Sequence, residues 1–304
     1  MTAPDKSPAD VTTDRLAETT APEGSTARPA AAPLRRVLAL LPEVETVAAC
    51  LDCAAAAAFD AEAVIAAVHV GFDPVRARVS TEELDIQYLR DATEGAASVR
   101  SARIKAAYDA WASTAVHPDR AHWTDEAGDV TAAVVAQATS ADLVVIGRPI
   151  HLDAKDALRA ALFKIRRPVL IAPPRAVPGG RTLGRHIVVG WKPGEPARRA
   201  VEAAAPWLRR AACVTVLCVA KLGAEPYPPS ARALFARLGI AAEIVDLDKD
   251  ARSVGRLLLD ETGRRGGDAL VIGAYHHGQF WEAVLGGVTR DVLASAEIPV
   301  FMMR

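Results

Sequence analysis

Asp268-Ala-Leu-Val-Ile-Gly273, a loop through Tyr275, His276 and His277 to Gly286-Gly287, then Val288-Thr-Arg290 and finally Ile298-Pro-Val-Phe-Met-Met303: this stretch decides the fold. A short β-branched run ending in glycine predicts a buried parallel strand, and a second apolar run closes the unit as another. Between them, a glycine pair ahead of a helical segment predicts a turn into a helix. The first amides of such a helix lack intrahelical partners and carry about half a positive charge, which is how α/β folds cradle anions. A nucleotide-sized anion beside Gly273, Gly286, Gly287, Val288 and Thr289 is the expectation.

The pattern occurs twice. Ala141-Asp-Leu-Val-Val-Ile-Gly147 matches the strand before Gly273, and Arg167-Pro-Val-Leu-Ile-Ala172 matches the closing strand. Each half also opens on an apolar strand after basic residues, Val37–Leu41 in the first and Ile187–Gly190 in the second. From Ile187 the second half alternates short β-branched runs with helical stretches: helix Pro196–Arg210, strand Val214–Val219, helix Pro228–Leu238, strand Ala242–Leu247, helix Ser253–Arg264, strand Ala269–Ile272. Such alternation predicts a parallel sheet covered on both faces. The first half repeats it with a longer middle helix, about Glu82–Trp111. The domain organisation is therefore a disordered tail over 1–33, rich in Ala, Thr, Pro and Ser; a degenerate α/β domain over 34–174; a Pro/Gly linker over 175–183; and a glycine-bearing domain over 184–304.

Composition narrows the function. A net charge of -1 with no long basic block lacks the electrostatic footprint of a nucleic-acid binder, so no nucleic acid is expected as partner. No window approaches the ~20 apolar residues of a membrane span, the tail lacks a signal-peptide apolar centre, and a cytoplasmic protein with no membrane association is the expectation. The 4 cysteines are too few for a disulfide framework in 304 residues. Cys50 and Cys53 have CxxC spacing without a second half to complete a zinc site, while Cys213 and Cys218 should face opposite sides of one strand.

The second half resembles the universal stress protein family, whose nucleotide-binding members carry Gly-x2-Gly-x9-Gly-(Ser/Thr) at this place. With the repeat, the resemblance covers nearly the whole chain after the tail and is to the tandem-domain bacterial type. It implies two open, parallel, five-stranded Rossmann-like sheets, packed on each other as an intramolecular pseudo-dimer through their last strands, Val169–Ala172 and Val300–Met303. It further implies a stress-response regulator rather than an enzyme, with an adenine nucleotide (ATP), and Mg accompanying it, as the ligand. A homodimer and a regulatory protein partner are the implied assemblies.

Two positions depart from the motif. His276 stands at the second glycine and Gly287 at the Ser/Thr. A lost neutral hydrogen bond costs about 1 kcal/mol and a non-glycine residue at positive φ roughly 1–2 kcal/mol, together about one to two factors of ten in affinity. Gly287 followed by Val288-Thr289 also occurs in many tandem members of the family. Relatives place an acidic residue or Asn near the adenine after the first strand, where this chain has Trp191-Lys192. Lys192 either reaches a phosphate or is solvated, Trp191 either packs or stacks on a base, and Gly273 either meets the ribose or merely lets the strand turn. Two adjacent histidines without a ligand-spaced partner do not predict a metal, and Glu282 with Arg290 suggests only a local ion pair. The first half has no glycine pair, and Pro149 removes an amide donor after Gly147, so no nucleotide is expected there. Arg148 and His151 are expected in solvent or between the halves. The readings are a weak or modified nucleotide site, the same fold acting as a protein-interaction module, and third, because nucleotidyltransferase and ATP pyrophosphatase signatures are missing, an ATP-using enzyme on this scaffold, with slow ATP hydrolysis left open.

Overall fold

The computed structural model describes residues 34–58, 63–77, 91–175, 183–220, 227–274 and 287–304. The expected tail, most of the expected linker, His276, His277, Glu282 and Gly286 lie outside them.

The first half supplies β1 (Arg36–Leu41), β2 (Val64–His69), β3 (Ala121–Asp125), β4 (Leu143–Gly147) and β5 (Val169–Ala172). The second supplies β6 (His186–Trp191), β7 (Cys213–Ala220), β8 (Glu243–Asp248), β9 (Ala269–Gly273) and β10 (Val300–Met303). All ten form one sheet in the order β3-β2-β1-β4-β5-β10-β9-β6-β7-β8. The two halves share one topology: within each the pairs are parallel, and β10 meets β5 antiparallel with Val300 opposite Ile171 and Phe301 opposite Leu170.

The helices are α1 (Val47–Ala57), α2 (Ala97–Ala112), α3 (Val130–Ala138), α4 (Leu152–Phe163), α5 (Glu195–Arg210), α6 (Pro228–Arg237), α7 (Val254–Arg264) and α8 (Gly287–Ser295). Alternate residues of each strand feed two cores, as a sheet buried on both faces requires. One core joins α1, α2, α5 and α6, with Val37, Ala39 and Leu41 of β1 pointing into it. The other joins α3, α4, α7 and α8 and takes Leu38 and Leu40. Both cores run through residues of both halves, and the Phe301 ring, buried at the seam, lies 5.1 Å from that of Trp207.

The repeated Asp has a structural task. The Asp142 carboxylate accepts the amides of Arg35 and Arg36 at 2.8 and 2.9 Å, and Asp268 accepts those of Gly184, Arg185 and His186. Each fixes where the first strand of its half begins beside the fourth.

The long middle helix expected over Glu82–Trp111 is interrupted at Gly95 where the structure describes it, and 82–90 lie outside the described residues. A helical turn at 91–94 ends at Gly95, whose φ is 88°, and α2 starts anew at Ala97. Glycine adopts that conformation freely and interrupts the helix. The cysteines are free: Cys50 and Cys53 are buried in α1, and Cys218 is buried while Cys213 on the same strand is exposed. Burial pushes the Cys53 and Cys218 thiols up to about 12 and that of Cys50 well above the ordinary range, so none of the three is a ready thiolate at neutral pH. Among the described residues no helix is long and apolar enough to cross a membrane.

Candidate functional site

Each half has one place where neighbouring strands send their chains to opposite faces of the sheet, and such switch points open a crevice at the carboxyl ends of the strands. In the second half it lies between β6, which leads into α5 on one face, and β9, beyond which α8 lies on the other. Trp191-Lys192 ends one strand and Gly273-Ala274 the other.

Gly273 is buried there for a steric reason. A Cβ on it would sit 2.7 Å from the Ala197 nitrogen and the Pro196 carbonyl carbon, so the first turn of α5 passes over the strand end at backbone contact distance. Gly147 is its counterpart, where a Cβ would run into Thr46 just ahead of α1. The strand-end glycine thus admits the first helix of each half; that packing accounts for Gly273 without a ribose. Trp191 is likewise a packing residue, 6% exposed, its Nε1 donating to Ser230 Oγ at 3.0 Å. Lys192 is exposed, and Gly194, at φ 150°, turns the chain into α5.

The α8 start is the other wall. Gly287 is exposed, and among the described residues no atom lies within 4 Å of the place where its Cβ would stand. Thr289 is 1% exposed, and its Oγ1 has no hydrogen-bond partner among the described residues. Tight crossing of α7 holds this turn in place: a Cβ on Gly255 would come within 2.9 Å of the Val288 carbonyl oxygen and 2.8 Å of Asp291 Cβ. Arg290 Nε lies 3.9 Å from Asp291, while the Glu282 suggested as its partner is outside the described residues. The structure therefore brings Gly273 and Lys192 to adjacent strand ends and puts Gly287, Val288 and Thr289 in one helical turn.

The corresponding crevice of the first half, between β1 and β4, is filled from within. Glu43, just past β1 and 4% exposed, accepts the Ile150 amide at 3.1 Å through either oxygen and the His151 amide at 2.9 Å through Oε2. The donors ahead of α4 that would face an anion are spent on a side chain of the same domain. Burial pushes the Glu43 carboxyl up from its ordinary value, opposed by the hydrogen bonds from His151 and Ile150. His151 stands 3.4 Å from both Glu45 and Glu94. Ligand atoms of Glu43, Glu45 and His151 come within 4.8 Å of one another, and Glu43 among them is already engaged by the two amides ahead of α4. Arg148 reaches across the seam to the Ala294 and Ala296 carbonyls at 3.2 Å. Sequence reading passed over Glu43, although an acidic residue directly after a first strand was the available signal.

No protein-family model matches the chain, and no curated protein matches it. Solved structures do. A universal stress protein from Archaeoglobus fulgidus superposes with a TM-score of 0.55 at 13% identity, over 88% of this chain and 96% of that one. The chain has the universal stress protein fold. A protein of unknown function from Pseudomonas aeruginosa matches with a TM-score of 0.53 at 15% identity, over 89% of this chain and 92% of its own. A shorter universal stress protein from Archaeoglobus fulgidus, solved in complex with dAMP, covers 40% of this chain at 22% identity and a TM-score of 0.32; the dAMP is a property of that protein. Both halves have a switch-point crevice at equivalent strands, β1 with β4 and β6 with β9, and Glu43 fills the first.

Proposed function

We propose that this is a non-enzymatic, cytoplasmic, tandem universal-stress-type protein whose second domain, 184–304, binds an adenine nucleotide weakly, while the first, 34–174, is its pseudo-dimer partner. One observation carries the reading. Among the described residues, the first turn of α8 in the second half has no atom within 4 Å of a Cβ built at Gly287 and, at Thr289, a buried hydroxyl without a partner, whereas the first half consumes its equivalent donors on Glu43. An unsatisfied buried hydroxyl costs about 1–3 kcal/mol, and a phosphate oxygen is a partner that would relieve it. Gly287, Val288 and Thr289 would face the phosphates, with Lys192 at the opposite wall; Gly286 and His276, named with them from the sequence, lie outside the described residues. Mg would accompany ATP as its counter-ion. Binding would then change the surface offered to a regulatory protein or to a second copy of the chain.

The packing role of Gly273 favours a second reading, in which the fold is an interaction module without nucleotide. Calorimetric titration with ATP and Mg separates the two. The nucleotide reading expects heat that saturates one-to-one at millimolar ATP, with Thr289→Val weakening it by about tenfold. No heat from folded protein leaves the interaction module.

A further inference from the structure

A cleft of about 870 Å³ lies between the two halves, in the middle of the sheet's width, where β5 ends and antiparallel β10 begins. Small side chains of α1, Ala49 and Ala56 among them, leave the space open, and Ile65 adds apolar surface. Two indoles border it from opposite halves. Trp111 is fixed by its Nε1 donating to Asp52 at 2.8 Å, and Trp207 by its Nε1 donating to the Ala57 carbonyl at 3.1 Å. With both N–H groups committed, the rings offer the cleft apolar and π surface.

The charged groups around this surface are not balanced. Every acidic group of the lining is occupied: Asp52 by Trp111, Asp268 by three backbone amides, and Glu297 by Arg148 at 3.9 Å. Arg120 is oriented at the wall by donating to the Ala58 and Ala63 carbonyls. Arg175 and Arg185 are exposed at the rim, and neither guanidinium has a hydrogen bond or ion pair among the described residues. An apolar, partly aromatic lining with uncommitted guanidinium groups at its rim is complementary to a planar or amphipathic anion, and the volume falls within the roughly 300–1,000 Å³ of small-molecule sites.

We propose that this cleft is a second ligand site, independent of the nucleotide crevice, for a small aromatic molecule carrying one anionic group. The test uses the full chain and anilinonaphthalene sulfonate as probe, with dye fluorescence and energy transfer from tryptophan as readouts. Saturable one-to-one binding is expected. The Arg175→Ser/Arg185→Ser variant, altered only at exposed positions, should bind about tenfold more weakly, and Ala55→Trp, which fills the cleft from an exposed site on α1, should abolish binding. Uncharged phenylnaphthylamine should bind equally to wild type and the double-arginine variant. Unchanged near-ultraviolet circular dichroism establishes that each variant is folded. The proposal is overturned by an absence of saturable binding, by wild-type dye affinity in either variant, or by displacement of the dye with ATP.

Discussion

At the scale of single residues, the two halves diverge just past their first strands. Glu43 supplies a carboxylate that satisfies two amides ahead of α4, so Glu43→Ala should destabilise the protein by about 1–3 kcal/mol through the orphaned donors. The pH dependence has a definite sign. Burial raises this carboxyl's pKa in the folded state, so its stabilising contribution is full below the unfolded pKa and is lost as pH rises through the folded one. Glu43→Gln removes the titration, and urea unfolding between about pH 4 and 7 should show the stability of wild type relative to Gln falling as pH rises. Gly273 makes the complementary point. Adding a Cβ there meets backbone of α5 at 2.7 Å, and Gly273→Ala should cost about 1–3 kcal/mol in thermal or urea unfolding, with or without nucleotide. The glycine's presence was legible in the sequence; its reason was not, because the atoms it makes room for belong to Pro196 and Ala197, more than seventy positions earlier.

Elements defined by hydrophobic period were legible nearly end to end. The strand read as Val214–Val219 is β7, Cys213–Ala220, and the helix read as Ser253–Arg264 is α7 with Ser253 as its cap, Oγ accepting the Arg256 amide. Their alternation of β-branched and helical runs is local information, which is why it survives without tertiary context. The break in the middle helix of the first half was missed because periodicity alone carries no penalty for Gly95, whose positive φ ends the preceding turn. Likewise, the acidic turn Pro42-Glu43 resembles any polar strand exit until α4 is seen beside it. The element pair joining the halves, β5 with β10, can be tested through its largest buried side chain. Phe301→Ala removes a ring packed on Trp207 and should lower stability by about 3–5 kcal/mol, read by urea denaturation; a loss below about 1 kcal/mol would mean that the seam contributes little to the core.

For the whole molecule, the repeat in the sequence becomes one ten-stranded sheet with two switch-point crevices. Glu43 internally satisfies the first; at the second, among the described residues, nothing lies against Gly287 and the Thr289 hydroxyl has no partner. On the proposed reading, one half serves as scaffold and the other takes the anion. Hydrogen–deuterium exchange with and without saturating ATP tests that asymmetry most directly. The account predicts protection at Trp191–Gly194 and Gly287–Thr289, with Ile150–Leu152 of the first half unchanged. Protection at Ile150–Leu152, or none at either crevice, would contradict it.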